Sequence, residues 1–563
     1  MEYGKSEYPV ERAQYGEGIT ISDEGTYPDR LHHHVALKRD LEARHITMIA
    51  IGGAIGTGLI IGTGAALAAA GPASIFIAYT IMGVIVFLVM CALGEMATWL
   101  PTGKNFAGYA SRFCDPALGF SLGYTYLFKY LITTPNQLTA AALVIQYWCP
   151  RDRVNPGAFI AVFLVVIIFI NYFGVRVFGE LEFWLSSIKV LVIVGLIILS
   201  LILALGGGPD HDRKGFRYWN NPGAFKESHG SGSWGRFLGV WSSMVTAVFA
   251  YLGTELVGVT VGEAQNPRKV IPRAIKLTFF RILFFYCISV LLLGMIVPYN
   301  SPQLVFANKQ ASNAAASPFV VAISISGIKV LPGFLNGCFL IFTFSASNSD
   351  LYIGTRTLYG LALDGKAPKF FAYTDKRGVP YWSLAFCSTF CLIAFLNVSD
   401  DSRTVFLYFV NLVTIFGLLT WISILVTHIF FVRARKAQGI FKDSMAFTAP
   451  LGVYGSYGAL VFCIIIAFTK NFTVFIPSPS TYGNFDYKNF ITGYLGIPLY
   501  IIMIFGYKLI MRSKMVRPHA ADFYSGKQEI DDQEAEFLRQ KAEKKAMKGD
   551  RGGKLYRLIS WLF

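Results

Sequence analysis

Long apolar blocks separated by short polar stretches dominate this chain from about residue 46 to residue 511. Each block is about 20 residues long, which matches the length of an α-helix that crosses the hydrocarbon core of a bilayer. The apolar residues do not alternate with polar ones, as they would in a transmembrane β-strand. The pattern therefore predicts an all-α polytopic membrane protein with about twelve spans, near residues 46–71, 74–99, 119–148, 157–178, 181–206, 237–261, 275–297, 329–360, 382–398, 404–432, 450–468 and 490–511.

The composition agrees with a membrane protein and excludes several other classes. Only 15% of the residues are charged, whereas soluble domains have about 25%. The formal net charge is +16, but the basic residues gather at the ends of apolar blocks and in the C-terminal region, which favours contact with a lipid bilayer over nucleic acid. The eight cysteines are scattered, and because zinc spacings, Walker loops and nucleophile elbows are missing, we predict no metal site, no cofactor and no enzyme active site.

Basic residues are concentrated in alternate loops, which predicts the orientation of the chain. The loop of residues 300–318 holds only Lys309, whereas the opposite set of loops is rich in lysine and arginine and should face the cytoplasm. An even number of spans then places both termini in the cytoplasm. We expect an N-terminal tail over residues 1–45, a membrane core over residues 46–511 and a C-terminal tail over residues 512–563.

The first apolar block contains an unusual number of glycines. Residues 49–64 read IAIGGAIGTGLIIGTG, although each glycine costs a helix interior about 1 kcal/mol relative to alanine. Inside a bilayer a helix can break only where the freed backbone groups face a cavity or a ligand, and glycine permits such a break. We therefore predict an interruption of span 1 at residues 53–58; the alternative is close helix packing through small residues.

A second interruption is predicted in span 6, where residues 248–258 read VFAYLGTELVG. Gly253 and the acidic Glu255 lie here within an apolar segment, although Glu255 alone could be a structural hydrogen-bonding group. Because spans 1 and 6 are five apart, we predict two inverted halves, at about residues 46–206 and 237–432, with helices 11 and 12 at about residues 450–511.

Several long motifs, in a consistent order, make this chain similar to known proteins. They are RHITMIAIGGAIGTGLIIGTG (44–64), LGEMATWLPTG (93–103), YASRFCDPALGFSLG (109–123), YLGTELVGVTVGEAQNPRKVIPRAI (251–275) and SASNSDLYIGTRTLYGLALDGKAPKFFAYTDKRGVPY (345–381). With them, the chain resembles the fungal amino-acid permeases of the amino acid–polyamine–organocation superfamily. The resemblance implies a LeuT-like 5+5 inverted repeat with discontinuous helices 1 and 6, proton-coupled uptake of amino acids and a location in the plasma membrane.

The same resemblance implies a binding site for the two charged ends of an amino acid. Backbone N–H groups at the break in span 1 would bind the α-carboxylate, at Ile55, Gly56, Thr57 and Gly58. Freed carbonyl groups in span 6 would bind the α-ammonium group, near Phe249, Ala250 and Leu252. Phe249 or Tyr251 would act as a gate, and Ser345 and Asn348 of span 8 would line the pocket.

Span 3 departs from the usual family pattern, and this difference bears on the substrate. Many members have a glutamate in a Leu-Pro-Leu-Glu stretch, whereas alignment on Pro135 places Gln137 at that position and Lys129 lies two turns earlier. A buried lysine is costly unless it is paired, and an acidic substrate side chain would be a natural partner. The sequence thus resembles the dicarboxylic branch, which takes glutamate and aspartate. Alternatively, Lys129 snorkels to the interface or pairs with Asp350 or Glu95.

Proton coupling requires a group that titrates during transport, and two residues are candidates. Lys189 lies where the family often has a lysine beside the broken span 1, and burial would favour its neutral form. Glu255 is the second candidate, and Lys189 could instead be permanently charged and structural. The sequence does not rank the two.

Three other functions compete with a proton–amino acid symporter that prefers acidic substrates. A broad-range or neutral amino-acid permease would have the same fold. A sensor would bind amino acids without transporting them, but family sensors typically have longer cytoplasmic extensions. A membrane-embedded enzyme is disfavoured because the apolar blocks lack a cluster of histidine and carboxylate residues.

The C-terminal region divides into two segments. Residues 529–548 read as a solvated helix, and residues 554–563 (KLYRLISWLF) suit the headgroup region; a disordered tail is the alternative. Both tails are candidate contact regions for trafficking and ubiquitination machinery.

Overall fold

The computed structural model describes residues 48, 55–101, 105–256, 258, 267–302, 304, 317–398, 402–476 and 485–548. The predictions for residues 1–45, for residues 49–54 of span 1 and for residues 554–563 lie outside this set. Over the described residues every regular element is a helix and no strand is present. The predicted all-α class is therefore confirmed.

Helices occupy the predicted apolar blocks as far as these blocks are described, and several short helices add to them. In chain order the helices of the described residues are α1 (Gly58–Ala70), α2 (Pro72–Trp99), α3 (Asn105–Phe113), α4 (Pro116–Ile145), α5 (Pro156–Tyr172), α6 (Val175–Ala204), α7 (Gly232–Tyr251), α8 (Pro267–Arg281), α9 (Ser289–Ile296), α10 (Pro318–Ile325), α11 (Leu331–Leu363), α12 (Tyr381–Phe390), α13 (Ser402–Ala437), α14 (Gly452–Thr469), α15 (Tyr487–Tyr494), α16 (Gly496–Met511) and α17 (Lys527–Lys548). A π-helical stretch joins α8 to α9.

Proline and short polar side chains determine where some of these helices begin. Pro116 and Pro156 are the first residues of α4 and α5, where a missing N–H group costs nothing. The side chains of Asp115 and Asn155 precede them and accept hydrogen bonds from Ala117 N at 2.8 Å and Gly157 N at 2.9 Å. These caps satisfy N–H groups that have no partner within the helix.

Several helices have the length and composition of membrane spans. Among the described residues, five helices pass this test, and a sixth is formed if the bent pair α15–α16 counts as one span. This result fits a polytopic membrane protein. The count of about twelve crossings and the inverted repeat stay predictions.

The helices differ in how much of their surface is buried, and this difference separates an outer layer from a core. The apolar window of α6 is 33% buried, whereas that of α13 is 78% buried. On α6, the apolar side chains of Trp184, Leu191 and Ile198 are exposed, as expected for a surface in contact with lipid. In contrast, α4 and α11 pack along each other in the interior.

The predicted interruption of span 6 is present immediately after α7. The helix ends at Tyr251, and Leu252 is extended with ψ of 140°. Gly253 has a φ of +97°, a left-handed conformation that glycine adopts without strain. The chain then turns through residues 252–255 before it resumes helical structure at Leu256.

The start of α1 approaches this break closely. Ile55 and Gly56 are not helical, and Thr57 precedes the first helical turn without a side-chain cap. Gly58 packs so tightly on α7 that an added Cβ atom would lie 2.5 Å from Ala250 Cα and 2.8 Å from Ala250 N. The glycine is therefore required because two backbones meet here.

The region after α16 packs against the ends of several helices. Phe523 is fully buried and contacts the rings of Trp99, Phe113 and Phe431. Arg112 binds the Asp522 carboxylate at 2.7 Å. Partial burial opposes ionisation of Asp522, but N–H groups of Ser525 and Tyr524 and the Arg112 guanidinium hold its pKa below its usual range. Since this carboxylate stays ionised at neutral pH and loses its charge only in acid, the contact persists at neutral pH.

The predicted solvated helix of the C-terminal region is also confirmed, as α17. Its Asp531 and Glu534 form ion pairs with Arg268 at the start of α8. Helix α17 is thus attached to the start of α8.

The contact between α1 and α7 can be tested by adding one methyl group. We expect Gly58→Ala to lower the thermal unfolding midpoint of the purified protein, since overpacking costs about 1–3 kcal/mol. Gly195→Ala is the matched control because a Cβ atom at Gly195 on α6 would meet nothing within 4 Å. Equal midpoints for the two variants would contradict the close approach of the two backbones.

Candidate functional site

A small polar cavity lies between the start of α1 and the break after α7. Its volume is about 30 Å³, which is room for about one water molecule, so an amino acid can enter only if the surrounding side chains move. The lining residues come from the start of α1, from α4, α11 and α13, and from the end of α7 with the turn that follows. They are Gly56, Thr57, Gly58, Lys129, Tyr130, Thr133, Gln137, Phe249, Ala250, Leu252, Gly253, Ala346, Asp350 and Val413.

The backbone ends of two helices give this cavity opposite partial charges. The first N–H groups of α1, at its uncapped start, have no partner within the helix, and the helix dipole adds positive potential there. At the opposite side, α7 ends at Tyr251, so its last carbonyl groups contribute negative potential. This pairing suits a zwitterion, whose carboxylate would lie at α1 and whose ammonium group would lie at α7.

One residue of the cavity wall, Lys129, belongs to a buried ion pair. Lys129 of α4 donates to the Oε1 atom of Glu255, and their side chains are 1% and 0% exposed. The Lys129 Nζ atom also lies 4.7 Å from the centre of the Tyr130 ring, a cation–π distance. These contacts show how a lysine can be retained within apolar helices, where an unpaired charge would cost several kcal/mol.

Glu255 connects three parts of the structure. Besides Lys129 of α4, its carboxylate accepts hydrogen bonds from Trp421 Nε1 of α13 at 3.3 Å and from Gly253 N at 3.2 Å. The last contact holds the turn after α7 in shape. Movement of this carboxylate would therefore change its contacts with α4, with α13 and with the turn after α7.

The alternative that Lys129 pairs with an acid of the protein is confirmed, but the acid differs from the two that we named. The ion pair is formed with Glu255 and not with Asp350 or Glu95. Glu95 lies in a separate cluster, 3.2 Å from His428 Nε2 and 3.5 Å from Arg435 Nη1.

Asp350 is a cavity residue whose role sequence reasoning missed. It lies on α11 and is 9% exposed, and within the described part of the chain its Oδ2 atom has no hydrogen-bond partner. Gln137 lines the same cavity and accepts a hydrogen bond from the Thr57 hydroxyl at 3.1 Å. The signal in the sequence was an acid in the middle of a mostly apolar span, which also holds Arg356.

Lys189 lies outside the cavity lining, in a second buried ion pair. Its Nζ atom is 3.6 Å from the Oε1 atom of Glu182 on the same helix, and both side chains are 0% exposed. Glu182 in turn accepts hydrogen bonds from the Ser345 hydroxyl at 2.7 and 2.9 Å. Ser345 thus contacts this second pair and is not part of the cavity wall.

Three other predicted site residues also lie away from the cavity wall. Ile55 is fully buried. The Tyr251 hydroxyl donates to the backbone oxygen of Tyr79 at 2.9 Å. The Asn348 side chain accepts a hydrogen bond from Asn171 at 3.0 Å. The predicted residues that do line the cavity are Gly56, Thr57, Gly58, Lys129, Gln137, Phe249, Ala250 and Leu252.

The all-helical fold, its bilayer-length apolar helices and the polar cavity between interrupted helices define a polytopic membrane transporter. The profile of the family described as "Amino acid permease" matches residues 45–519. The chain belongs to this amino acid permease family, as its motifs predicted.

Individual relatives differ in the substrate that their names state. The chain is 54% identical over 534 residues to the "Dicarboxylic amino acid permease" of Saccharomyces cerevisiae, covering 94% of this chain and 87% of the relative. It is 46% identical to an "Uncharacterized amino-acid permease" of Schizosaccharomyces pombe, covering 87% and 92%. It is 42% identical to the "Lysine-specific permease" of Saccharomyces cerevisiae, covering 90% and 81%.

The energetic coupling of Lys129 and Glu255 can be measured with a double-mutant cycle. We expect Lys129→Met to destabilise the protein by about 3–5 kcal/mol because it leaves a buried carboxylate without its cation. Lys129→Met combined with Glu255→Gln should recover most of this loss, since both charges are then removed. Thermal unfolding of the purified variants measures the effect, and simple additivity of the two single changes would contradict the coupling.

Proposed function

We propose that this protein is a proton-coupled symporter that imports amino acids across the plasma membrane and prefers acidic ones, glutamate and aspartate. The proposal includes a twelve-span, LeuT-like arrangement with both termini in the cytoplasm, and transport by alternating access. The observation that carries the substrate preference is the buried cation Lys129 in the wall of a cavity between two helix ends.

The amino-acid backbone is recognised by main-chain groups. The α-carboxylate binds at the start of α1, to the N–H groups of Gly56, Thr57 and Gly58, and the α-ammonium group binds near the carbonyl groups of Phe249 and Ala250. These groups line the same cavity, and their partial charges are complementary to a zwitterion. Phe249, whose ring is buried at the cavity wall, moves to admit the substrate.

Lys129 provides selectivity for acidic side chains. In the structure it is paired with Glu255. A substrate side-chain carboxylate that enters the cavity takes the place of Glu255 at Lys129. Its charge-assisted hydrogen bond is about twice as strong as the neutral one that an uncharged substrate side chain could form, which favours acidic substrates. The similarity to a relative named for dicarboxylic amino acids supports this preference, whereas relatives named for lysine and proline indicate that the fold alone does not set it.

The charges around the cavity supply a reason for proton coupling. Lys129 contributes one positive charge, and Glu255 and Asp350 contribute two negative ones, so this group has a net charge of −1 when all three are ionised. An acidic substrate adds a further negative charge, which a buried site cannot hold without compensation. Glu255 loses Lys129 to the substrate and takes up the proton. Lys189, paired with Glu182, is the alternative carrier.

Uptake of radiolabelled aspartate at different pH values tests the function. We expect faster uptake at acid than at neutral external pH, because a higher proton concentration favours the protonated, substrate-loaded protein. Cells that lack the protein provide the background. Absence of uptake at every pH, with binding retained, would point to a sensor, and uptake independent of pH would contradict proton coupling.

The role of Lys129 is tested by comparing two substrates in one variant. We use Lys129→Gln combined with Glu255→Gln, so that no buried charge is left unpaired, and normalise uptake to the protein present at the cell surface. Loss of the charged contact is worth about 1.5–3 kcal/mol, so we expect aspartate uptake to fall about 10- to 100-fold relative to a neutral amino acid. Equal losses for both substrates would mean that Lys129 is structural.

A control that removes a positive charge away from the cavity accompanies this test. Lys369 is exposed in the segment between α11 and α12, and Lys369→Gln should leave the ratio of the two uptake rates unchanged. A shift of the ratio in this control would show that the selectivity reflects overall charge and not the cavity.

A further inference from the structure

A second and larger cavity lies at the far end of α13, away from the candidate substrate site. Its volume is about 350 Å³, within the range of sites that hold a small ligand. It is bounded by α2, by the end of α13, by the connecting segment 438–451 and by the first turn of α14. The basic loops mark this side as the one that the positive-inside rule places in the cytoplasm.

Cations outnumber anions in the wall of this cavity. Arg435, Lys436 and Lys442 contribute three positive charges, and Glu95 contributes one negative charge. The Glu95 carboxylate already has partners within the protein: it accepts a hydrogen bond from Ala449 N at 2.8 Å, and it lies 3.5 Å from Arg435 Nη1. The remaining positive charge is therefore available to an anion.

One donor group at this cavity lacks an internal partner. The Arg435 side chain is 3% exposed, and within the described residues its Nε atom has no hydrogen-bond partner. A buried, unsatisfied donor is costly and calls for a ligand or a functional role. The start of α14 has no side-chain cap and its first N–H group is hydrogen-bonded to Ala449 O at 2.9 Å, but the positive end of its dipole adds to the positive potential of the cavity.

The side chains at the rim of the cavity indicate where the anion comes from. Leu451 and Tyr454 line the cavity and are 60% and 83% exposed. Phe441, in the connecting segment, is 78% exposed. Apolar and aromatic side chains of this kind are typical of the membrane–water interface. The cavity thus combines a basic interior with a rim suited to acyl chains.

We propose that this basic cavity binds the phosphate-bearing headgroup of an anionic phospholipid. Arg435 Nε binds a phosphate oxygen, the positive end of the α14 dipole favours the negative charge, and Lys436 and Lys442 supply attraction at the mouth. Basic pockets between helices at the cytoplasmic surface are suited to such headgroups. Helix α13 also contributes Val413 to the candidate substrate cavity and Trp421 to the contact with Glu255. A lipid bound at the end of α13 therefore stabilises a helix that forms part of the candidate substrate site.

Binding of phosphatidylserine to the purified full chain tests this proposal without any transport measurement. The protein is placed in nanodiscs of phosphatidylcholine with or without phosphatidylserine, and bound lipid and the thermal unfolding midpoint are recorded. We expect phosphatidylserine to be retained and to raise the midpoint. Each lysine near an anionic surface is worth about fivefold in affinity, so Lys436→Gln with Lys442→Gln should weaken binding about 25-fold.

The matched control also removes two positive charges, at a different place on the side of the protein that carries the basic loops. Lys369 and Lys376 are exposed and lie outside the cavity, so Lys369→Gln with Lys376→Gln should leave lipid retention at the wild-type level. Equal losses in the two double variants would overturn the proposal, because the attraction would then be general surface electrostatics. The lysines are exposed, which avoids the folding defect expected from replacing buried Arg435.

Inorganic phosphate separates a lipid site from a site for a soluble anion. Added to phosphatidylcholine nanodiscs, phosphate alone should not reproduce the rise in midpoint, because it lacks the acyl chains that contact Leu451 and Tyr454. An equal rise with phosphate would overturn the lipid proposal. None of these outcomes depends on whether the chain transports amino acids, so failure here is distinguishable from failure of the proposed function.

Discussion

A lysine and a glutamate buried among apolar helices can be retained only if they satisfy each other, and this constraint organises the centre of the structure. Lys129 and Glu255 are almost fully inaccessible, and either charge alone would be costly in a low-dielectric interior. The pair holds α4 against the turn that interrupts span 6. It therefore stabilises a break in the backbone that a bilayer would otherwise disfavour.

In the proposed mechanism the substrate acts on this pair. An incoming carboxylate would compete for Lys129, and Glu255, once released, would change its contacts with Trp421 of α13 and with the turn at Gly253. Binding at the cavity is in this way connected to helices that extend well beyond it. At its other end α13 reaches the basic cavity at Arg435, so one helix connects the transport site with the proposed lipid site.

Local patterns predicted much of this arrangement, and the remaining features depend on contacts distant in sequence. The apolar blocks located the helices, and glycine in an apolar segment predicted the break that Gly253 makes with its positive φ. Sequence alone did not identify the partner of Lys129, because Glu255 lies 126 positions away. Tyr251 and Asn348 were assigned to the cavity although their side chains face neighbouring helices, since the rotation of a helix about its axis is set by packing. Asp350 was considered only as a partner for Lys129.

The central claim is that an acidic substrate replaces Glu255 at Lys129. An experimentally determined structure of the protein with bound aspartate tests it most directly, through the distance from Lys129 Nζ to the side-chain carboxylate of the substrate. The account predicts a charge-assisted hydrogen bond of about 2.7–2.9 Å, with Glu255 moved away from Lys129. A structure in which Lys129 stays paired with Glu255 while the substrate side chain binds elsewhere would contradict it.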